Sequence, residues 1–379
     1  MPNNIPLKNI IRKGDDNGDG WVIQLETDKG RAVYGIAVAQ SSSGRTGPTW
    51  SYVFENDGFT VVDLGTPGSF DNFVDGYSQL PLNLNEIQRI IFTHGHSDHD
   101  GTAHEFSSLY KAEIWAHKTY SPLKKYKIWE IQDRESSVLQ KELMRISSIL
   151  ISDSDKFSRW NQYSDYYANK GKTSISKDLS NQEIFKDLQI IETPGHSPDQ
   201  IVLLLDNFMF TGDHILPEIT PHPTSNTIIQ KKISNSLPCF LKDTSPWFGL
   251  GTYLNSLSTT MKLGNKYSIL PAHRLHNKGE FNWIDQSRGL EIISHHEKRL
   301  NRIIHRLNSN SDSLEDLTRG IFEKSKLLGA NIFAAMSEIV AHLEFLEECN
   351  DIKVSNSGKI NVTGNGINYI KKLEQLRSV

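Results

Sequence analysis

The sequence predicts an α/β fold, because short apolar strands alternate with helical segments along most of its 379 residues. Several of these strands end at a His or Asp residue, which is the second observation that shapes the prediction. Hydrophobic residues make up 37% of the chain and charged residues 23%, enough apolar sequence for a sizeable core. A chain of this length is expected to hold one large domain and an accessory one.

Runs of β-branched and aromatic residues, bounded by Asp, Gly and Ser clusters, predict strands in both halves of the chain. They lie at 21–25, 50–54, 60–64, 90–93, 188–193, 201–205, 208–211 and 267–270. Helices are predicted at 84–89, 101–110 and 251–264. A longer helix is predicted over 283–307, because Leu290, Ile293, Leu300, Ile304 and Leu307 recur with helical period.

Residues 118–187 differ in composition from the strands on either side. They are rich in Lys, Ser, Asp, Trp and Tyr, with a helical pattern through 129–150 and 13 Lys or Arg against 10 Asp or Glu. We interpret this segment as a helical insertion. It is either a lid over a site or a surface elaboration without substrate contact, and the sequence does not favour one over the other.

The tail of the chain predicts a small separate domain. Its pattern indicates three helices followed by a β-ribbon, in which 351–354 and 359–362 flank the turn signal at 355–358. Three helices and a hairpin describe a winged-helix module. The polar break at 308–313 places the boundary, so we predict domains over 1–310 and 311–379.

A cluster of metal-ligand side chains follows the strand at 90–93. His94, His96, Asp98 and His99 are four candidate ligands within six residues, at the point where a strand turns into a helix. Imidazole and carboxylate are the ligands that zinc and similar divalent ions prefer. The cluster therefore predicts a metal site rather than a polar loop with incidental histidines.

Three further candidates each follow an apolar strand in the second half of the chain. His196 lies in Thr193-Pro-Gly-His-Ser, Asp213 in Phe210-Thr-Gly-Asp-His, and His273 in Leu270-Pro-Ala-His-Arg. Strand ends are where a sheet scaffold presents its functional residues. We therefore expect these side chains to join the histidine cluster.

Asp63, the histidine cluster, His196, Asp213 and His273 together resemble the five motifs of the metallo-β-lactamase superfamily, over roughly residues 15–310. The resemblance implies an αββα four-layer sandwich with metals at one edge of two facing sheets. It implies that His94, His96 and His196 hold one metal, that Asp98, His99 and His273 hold the other, and that Asp213 bridges both. Asp63 would orient the loop that carries the ligands.

The implied chemistry is hydrolysis by a hydroxide that two divalent metal ions share, with Zn²⁺ favoured over Mn or Fe and with Asp98 as the catalytic residue. Glu replaces the second histidine in redox-active diiron members, whereas His96 stands here. One lactamase class uses a cysteine where this chain has Asp213. The set is similar to those of thioesterases, lactonases and metal-dependent nucleases, and we predict a thioester or lactone of a small acyl substrate. A single-strand RNA endonuclease and a mononuclear iron dioxygenase are the alternatives.

The segments 294–304 and 336–346 resemble the helices of a lactamase-like branch that carries a C-terminal winged helix. Such a module binds nucleic acid or serves in packing and dimerisation. Residues 313–379 hold 8 Lys or Arg against 9 Asp or Glu, so they lack the basic excess of a nucleic-acid surface. The balance favours packing or a homodimer. Histidines 295, 296 and 342 are expected to serve packing or the surface.

Substrate contacts are the least specific prediction. Arg45 lies in the flexible Ser- and Gly-rich loop 41–48, Tyr253 lies in a predicted helix, and His222 lies in Pro-His-Pro after Asp213. Arg274 also lies beside a ligand. Each of them is a candidate for the cleft and equally a structural residue.

The chain is expected to be cytoplasmic. No run approaches the roughly 18 apolar residues of a membrane span, and residues 1–12 lack a signal-peptide pattern. Two cysteines far apart indicate neither a disulfide framework nor a thiolate metal site, and the net charge of −4 supplies no general attraction to nucleic acid.

Overall fold

A computed structural model describes residues 6–40, 46–127, 130, 137–150, 153–309, 313–328 and 331–377. Its contacts divide the chain into two compact units. The first unit consists of Met1–Lys125, Asp165–Pro221 and Thr260–Gly289, and the second of Tyr126–Ser164, His222–Thr259 and Leu290–Val379. The second unit includes segments well before residue 311, and the predicted domain limits stay a prediction.

The large sheet of the first unit contains eight strands in sequence order. They are β1 (Leu7–Arg12), β2 (Val22–Glu26), β3 (Ala32–Val38), β4 (Thr49–Glu55), β5 (Phe59–Val62), β6 (Ile87–Ile91), β7 (Glu113–His117) and β8 (Lys177–Leu179). Pairing is antiparallel from β1 to β5 and parallel from β5 to β8. The parallel part needs crossover connections, and the helices of this unit lie in those connections.

The small sheet of the first unit has five strands in the order β13-β12-β11-β10-β9. They are β9 (Ile184–Phe185), β10 (Leu188–Glu192), β11 (Ile201–Leu205), β12 (Phe208–Gly212) and β13 (Ser268–Pro271). All pairs are antiparallel except β12 with β13, which is parallel. A two-stranded ribbon, β14 (His276–Asn277) with β15 (Glu280–Phe281), follows.

Apolar side chains of the two sheets form one core between them. Trp50, Tyr52 and Phe54 of β4 belong to the same buried cluster as Leu203 of β11 and Phe210 of β12. The Phe54 and Phe210 rings stack with centroids 5.1 Å apart, and the Tyr52 ring centroid lies 5.3 Å from that of Phe210. All five residues of β11 are buried, which explains its unbroken apolar sequence.

Helices cover the outer face of the large sheet. The helices are α1 (Phe70–Tyr77), α2 (Ser97–Asp100) and α3 (Ala103–Leu109). A second core joins Phe73 of α1 and Phe106 of α3 to Val53, Val61 and Ile90 of the sheet. The predicted α/β fold is confirmed. The helices outside the large sheet, the large sheet and the small sheet correspond to three of the four layers of the predicted αββα sandwich.

One local helix prediction differs from the structure, and one helix near the cluster was not predicted. Residues 84–89 do not form a helix, because only Leu84–Glu86 makes a 3₁₀ turn, capped by Asn83, before β6 begins at Ile87. The helix predicted at 101–110 is present as α3 (Ala103–Leu109), which begins after the cluster. A short helix, α2, already starts at Ser97 and carries Asp98 and His99, and α3 follows separately.

The segment 118–187 is helical only in part. Its helices are α4 (Tyr120–Leu123), α5 (Val138–Leu150) and α6 (Asp153–Lys172). Beyond Lys172 it supplies β8 to the large sheet and β9 to the small sheet. Strands of two and three residues carry too little periodicity to be recognised in sequence, which is why the sequence predicts only an insertion at this end.

The remaining elements of the chain are mainly helices. They are α7 (Lys231–Ser234), α8 (Cys239–Lys242), α9 (Leu250–Met261), α10 (Ser287–Ser309), α11 (Leu314–Ile321), α12 (Asn331–Glu348) and α13 (Asn368–Arg377), with the hairpin β16 (Ile352–Val354) and β17 (Ile360–Val362). No helix in the described part of the chain is long and apolar enough to cross a membrane.

The tail differs from the predicted order of three helices and then a ribbon. Residues 324–327 form only a 3₁₀ turn, and α13 follows the hairpin instead of preceding it. The Asp351 carboxylate accepts hydrogen bonds of 2.7 Å from the backbone N–H groups of Asn368 and Tyr369, at the start of α13. That cap comes from a residue distant in sequence, so no local signal announces the helix. The winged-helix assignment stays a prediction.

Phe210→Ala tests the core between the sheets. Removing this fully buried ring leaves a cavity beside Phe54 and Tyr52, so we expect a loss of about 3–5 kcal/mol in unfolding free energy. Leu109→Ala, at a side chain that is 64% exposed, is the control and should change stability by less than about 0.5 kcal/mol. Denaturant unfolding measures both, and equal effects would contradict the proposed core.

Glu344 of α12 is a buried acid in the second unit. Burial raises its pKa from 4.5 to about 7, although hydrogen bonds from the Thr227 hydroxyl and from the backbone N–H of Asn226, the latter at 2.6 Å, act in the opposite direction. A carboxyl whose pKa is raised on folding stabilises the fold below its unfolded pKa. That contribution is lost as the pH rises through the folded pKa.

Glu344→Gln should therefore remove a pH dependence. The free energy of unfolding of the wild type, relative to the variant, is expected to fall by on the order of 3 kcal/mol between about pH 4.5 and about pH 7. Thermal or denaturant unfolding across this range measures the difference. Glu374→Gln, at an exposed position of α13, should leave the pH dependence of the wild type unchanged.

Candidate metal centre

The first unit brings together all seven predicted ligands. His94 and His96 follow β6, Asp98 and His99 lie on α2, and the other three each follow a strand of the small sheet. Those three are His196 after β10, Asp213 after β12 and His273 after β13. The turns after these strands meet because the two sheets are stacked, so residues far apart in sequence reach one place.

The first group of ligands contains three imidazoles. The Nε2 atom of His94 lies 2.9 Å from Nδ1 of His96, and Nε2 of His196 lies 3.1 Å from the same Nδ1. One nitrogen from each of the three residues lies within 4.8 Å of the others. Three converging nitrogens at this spacing are typical of a tetrahedral metal site with an open fourth position.

The second group combines Asp98, His99, Asp213 and His273, whose ligand atoms also lie within 4.8 Å of one another. The Nε2 atom of His273 lies 3.2 Å from Oδ2 of Asp98 and 3.5 Å from Oδ1 of Asp213. His99 Nε2 lies 3.6 Å from the same Asp213 oxygen. Two carboxylates and two imidazoles suit a divalent cation.

Asp213 lies between the two groups and presents one oxygen to each. Its Oδ1 faces His99 and His273 of the second group, while its Oδ2 lies 3.6 Å from Nε2 of His196 in the first. A carboxylate in this position can serve two cations at once. This is the geometry expected of the bridging role that the resemblance implies.

Electrostatics differ between the groups. Burial and the neighbouring imidazoles lower the pKa of His94 well below its usual value and that of His96 to about 3, so both are neutral and keep a lone pair for a metal. Burial also lowers the pKa of His99, but Asp63, Asp213 and Asp98 outweigh it and raise the pKa well above its usual value. The second group therefore carries a negative potential that favours a cation.

The unpaired atoms of the centre test whether metals fit. Nε2 of His99, Nε2 of His273 and Oδ1 of Asp213 are buried and have no hydrogen-bond partner among the described residues. The other ring nitrogens are held, since Nδ1 of His99 contacts Asp63 at 2.8 Å and Nδ1 of His273 donates to the Pro48 carbonyl at 2.9 Å. A histidine with one ring nitrogen hydrogen-bonded and the other without a hydrogen-bond partner is typical of a metal ligand. Divalent cations therefore fit this centre.

Asp63 follows β5 in the left-handed region, with φ of 58°, which Asp tolerates better than most residues. Its Oδ1 accepts the backbone N–H of Thr93 at 2.8 Å. Its Oδ2 accepts the Thr93 hydroxyl and lies beside Nδ1 of His99, both at 2.8 Å. The carboxylate thus fixes the residue before His94 and the ring of His99, which is the geometry expected of the predicted orienting role.

Sequence reasoning missed a second buried carboxylate at this loop. Asp100, which follows His99, is surrounded by the hydroxyls of Tyr120 and Tyr166 and by the ammonium group of Lys170. Asp100 adjoins the histidine cluster and could have been singled out on that ground. Nothing in the sequence near Lys170 or Tyr166 indicates that helix α6 reaches the metal centre.

The predicted substrate contacts stay predictions. Arg45 lies outside the described residues. Tyr253 and His222 belong to the second unit, where Tyr253 is buried with its ring 5.8 Å from that of His296, and His222 Nε2 lies 3.2 Å from the Ala334 carbonyl. Arg274, which follows His273, donates to Asn277 at 2.8 Å.

The second unit contains another group of ligand-type residues, His296, Glu338 and His342. Nδ1 of His296 lies 3.0 Å from Nε2 of His342, whose Nδ1 donates to the Glu338 carbonyl at 2.6 Å. The Glu338 carboxylate is paired with Arg299. Burial lowers the pKa of both histidines well below the usual value, so we interpret the group as a neutral packing network.

The ligand geometry agrees with the family that the sequence matches. Residues 44–273 match the model of the metallo-beta-lactamase superfamily. The chain belongs to this superfamily, and the family predicted from the motifs is confirmed. The match begins shortly before β4 and ends at His273, so it spans all seven candidate ligands and Asp63.

Two solved structures share the fold. A metallo-beta-lactamase family protein from Thermus thermophilus superimposes with a TM-score of 0.62 at 19% identity, covering 87% of this chain and 98% of that one. A beta-lactamase domain protein from Burkholderia ambifaria superimposes with a TM-score of 0.62 at 18% identity, covering 90% and 94%. At these identities the likeness concerns the fold alone.

A curated relative is the probable metallo-hydrolase YybB of Bacillus subtilis (strain 168), which is 27% identical over 168 residues. The match covers 44% of this chain and 60% of that protein. The chain thus matches less than two thirds of the length of this relative.

Asp63→Asn tests the orienting carboxylate. Asn tolerates the left-handed backbone, but it offers one acceptor oxygen where the carboxylate uses two. Its NH2 group must face either the Thr93 backbone N–H or the Thr93 hydroxyl and the His99 ring, so the hold on the His99 ring weakens. We expect zinc affinity to fall by about 10- to 100-fold in chelator competition, with the fold retained. Asp71→Asn, at an exposed residue of α1, should keep wild-type affinity. Unchanged affinity in Asp63→Asn would refute the role.

Proposed function

We propose that this protein is a dinuclear metal-dependent hydrolase that cleaves an ester-like bond, a thioester or a lactone, in a small acyl substrate. One cation would be held by His94, His96 and His196. The other would be held by Asp98, His99 and His273. The superfamily and the name of the Bacillus relative support hydrolysis, and the ligand set supports the narrower proposal.

The position of Asp213 carries the proposal. It offers Oδ2 towards His196 and Oδ1 towards His99 and His273, at 3.5–3.6 Å. A mononuclear site would use one oxygen of this carboxylate, whereas here each oxygen faces a different group of ligands. The two groups and their shared Asp therefore favour two cations over one.

Bound divalent cations would supply Lewis acidity, which lowers the pKa of a water molecule towards neutrality and polarises the scissile carbonyl. The chain supplies the rest. The side chain of Asp98 is 28% exposed, whereas those of His99 and His273 are fully buried. Asp98 can therefore reach solvent, orient the attacking water and accept its proton.

Two residue identities argue against redox and antibiotic-cleaving members of the superfamily. His96 occupies the position where redox-active diiron members of this superfamily carry Glu. Asp213 stands where one zinc-lactamase class carries Cys. The set resembles that of thioesterases, lactonases and metal-dependent nucleases, in which water is the nucleophile and no Ser or Cys is required.

Metal removal followed by an activity screen tests the proposal. Protein dialysed against a chelator should lose hydrolysis of acyl thioesters or lactones and regain it with Zn²⁺. His96→Ala should lower the rate by more than about 100-fold, because it removes a ligand and not merely a residue that orients one. His104→Ala, at a partly exposed histidine of α3, is the matched control and should retain activity.

Short single-stranded RNAs belong in the same screen. Metal-dependent cleavage of RNA, without hydrolysis of esters, would favour the alternative function, a single-strand RNA endonuclease. Residues 313–379 hold 8 basic against 9 acidic residues, so they lack the basic excess of a nucleic-acid surface. Protein that holds one iron and consumes oxygen would overturn hydrolysis altogether.

A further inference from the structure

We propose that Lys170 of helix α6 is a positioning residue that holds the ligand loop, residues 94–100, in its metal-binding conformation. It does so by joining the Gly95 carbonyl to the Asp100 carboxylate. The inference rests on the proposed function, since it assumes that the loop binds metal.

Asp100 ends α2 directly after His99, and its carboxylate is fully buried. The Tyr120 hydroxyl donates to Oδ2 and the Tyr166 hydroxyl to Oδ1, each at 2.7 Å. Lys170 Nζ lies 2.9 Å from Oδ2. A buried carboxylate with two hydroxyl donors and one ammonium partner is fully satisfied, so its place is well determined.

Lys170 uses its other two donors at the same place. Its Nζ donates to the Gly95 carbonyl and contacts the Tyr166 hydroxyl at 3.0 Å. An ammonium group has three N–H donors, and Asp100, Gly95 and Tyr166 occupy all three. The side chain is 9% exposed, so these partners replace most of its water.

The two ends of this bridge lie beside different groups of metal ligands. Gly95 is between His94 and His96, which belong to the first group, and Asp100 follows Asp98 and His99, which belong to the second. One buried ammonium therefore fixes the loop before and after its turn. The spacing of the two groups along the loop depends on this bridge.

Gly95 is closely packed beside this network, and a side chain would not fit there. A Cβ added there would lie 2.8 Å from the Asp199 carboxylate and 2.8 Å from the Tyr120 ring. The loop backbone at Gly95 thus lies against the ring of Tyr120, whose hydroxyl donates to Asp100. The Gly95 carbonyl also accepts a hydrogen bond from Lys170. The helix that carries Lys170 comes from the inserted segment, so the insertion contributes to the metal centre without supplying a ligand.

Variants of the pair separate positioning from simple stability. Lys170→Met leaves the Asp100 carboxylate buried without its cation, so it is expected to destabilise the fold as well as the loop. Lys170→Met combined with Asp100→Asn removes both charges. The double variant should regain thermal stability yet still bind Zn²⁺ about 10- to 100-fold more weakly than the wild type, because Gly95 has lost its donor.

Chelator competition with Zn²⁺ and the visible spectrum of Co²⁺-loaded protein are the readouts, and neither requires a substrate. The Co²⁺ bands should shift in the double variant, because the ligand geometry changes. Lys170→Arg, which keeps the positive charge, should bind Zn²⁺ more tightly than the double variant. Lys172→Met, at an exposed lysine on the same helix, should behave as the wild type.

Wild-type Zn²⁺ affinity and an unchanged Co²⁺ spectrum in the double variant would overturn the positioning role. That result leaves the proposed hydrolysis untouched. Conversely, a wild type that binds zinc, loses affinity in the variants and cleaves no thioester or lactone would refute the proposed substrate while supporting the role of Lys170.

Discussion

The apolar interface between the two sheets is the constraint on which the metal centre depends. Phe210 and Leu203 of the small sheet pack with Tyr52 and Phe54 of the large one, and burial of each such side chain contributes about 1.5–3 kcal/mol. Because the ligands follow strands of both sheets, this contact sets the distance between His94 and Asp213. The hydrophobic core thus determines how the metal ligands are placed relative to one another.

Hydrogen bonds that cross from one sheet to the other refine this geometry beside the ligands. The Tyr52 hydroxyl donates to the Pro271 carbonyl and the backbone N–H of Trp50 to the Ala272 carbonyl, both at 2.7 Å, immediately before His273. The backbone N–H of Ile201 donates to the Thr93 carbonyl at 2.8 Å, next to His94. The core brings the sheets together, and these bonds fix the register in which the ligand-bearing turns meet.

Two buried carboxylates then hold the ligand loop from different directions. Asp63 contacts the Thr93 backbone and the His99 ring, whereas Asp100 is held by Lys170 and two tyrosines. The first arises from the large sheet and the second involves the inserted helix. A fold of this kind hosts many chemistries, so the fold alone does not fix the substrate.

Much of the site could be predicted from the sequence, because the ligand types, their spacing and the apolar strands before them are local patterns. The motifs at His94–His99, His196, Asp213 and His273 needed no coordinates to be recognised, and the α/β class followed from the strands. Prediction was weaker where structure depends on distant partners. The strands β8 and β9 are too short to show periodicity, and α13 is capped by Asp351 from before the hairpin.

Tertiary structure alone decided how Asp213 faces both ligand groups and that Lys170 reaches Gly95 and Asp100, about 70 or more residues away in sequence. A sequence pattern records which side chains can bind a metal, since that property belongs to each residue. Which of them share a cation, and what holds them there, depends on packing between segments that are remote along the chain.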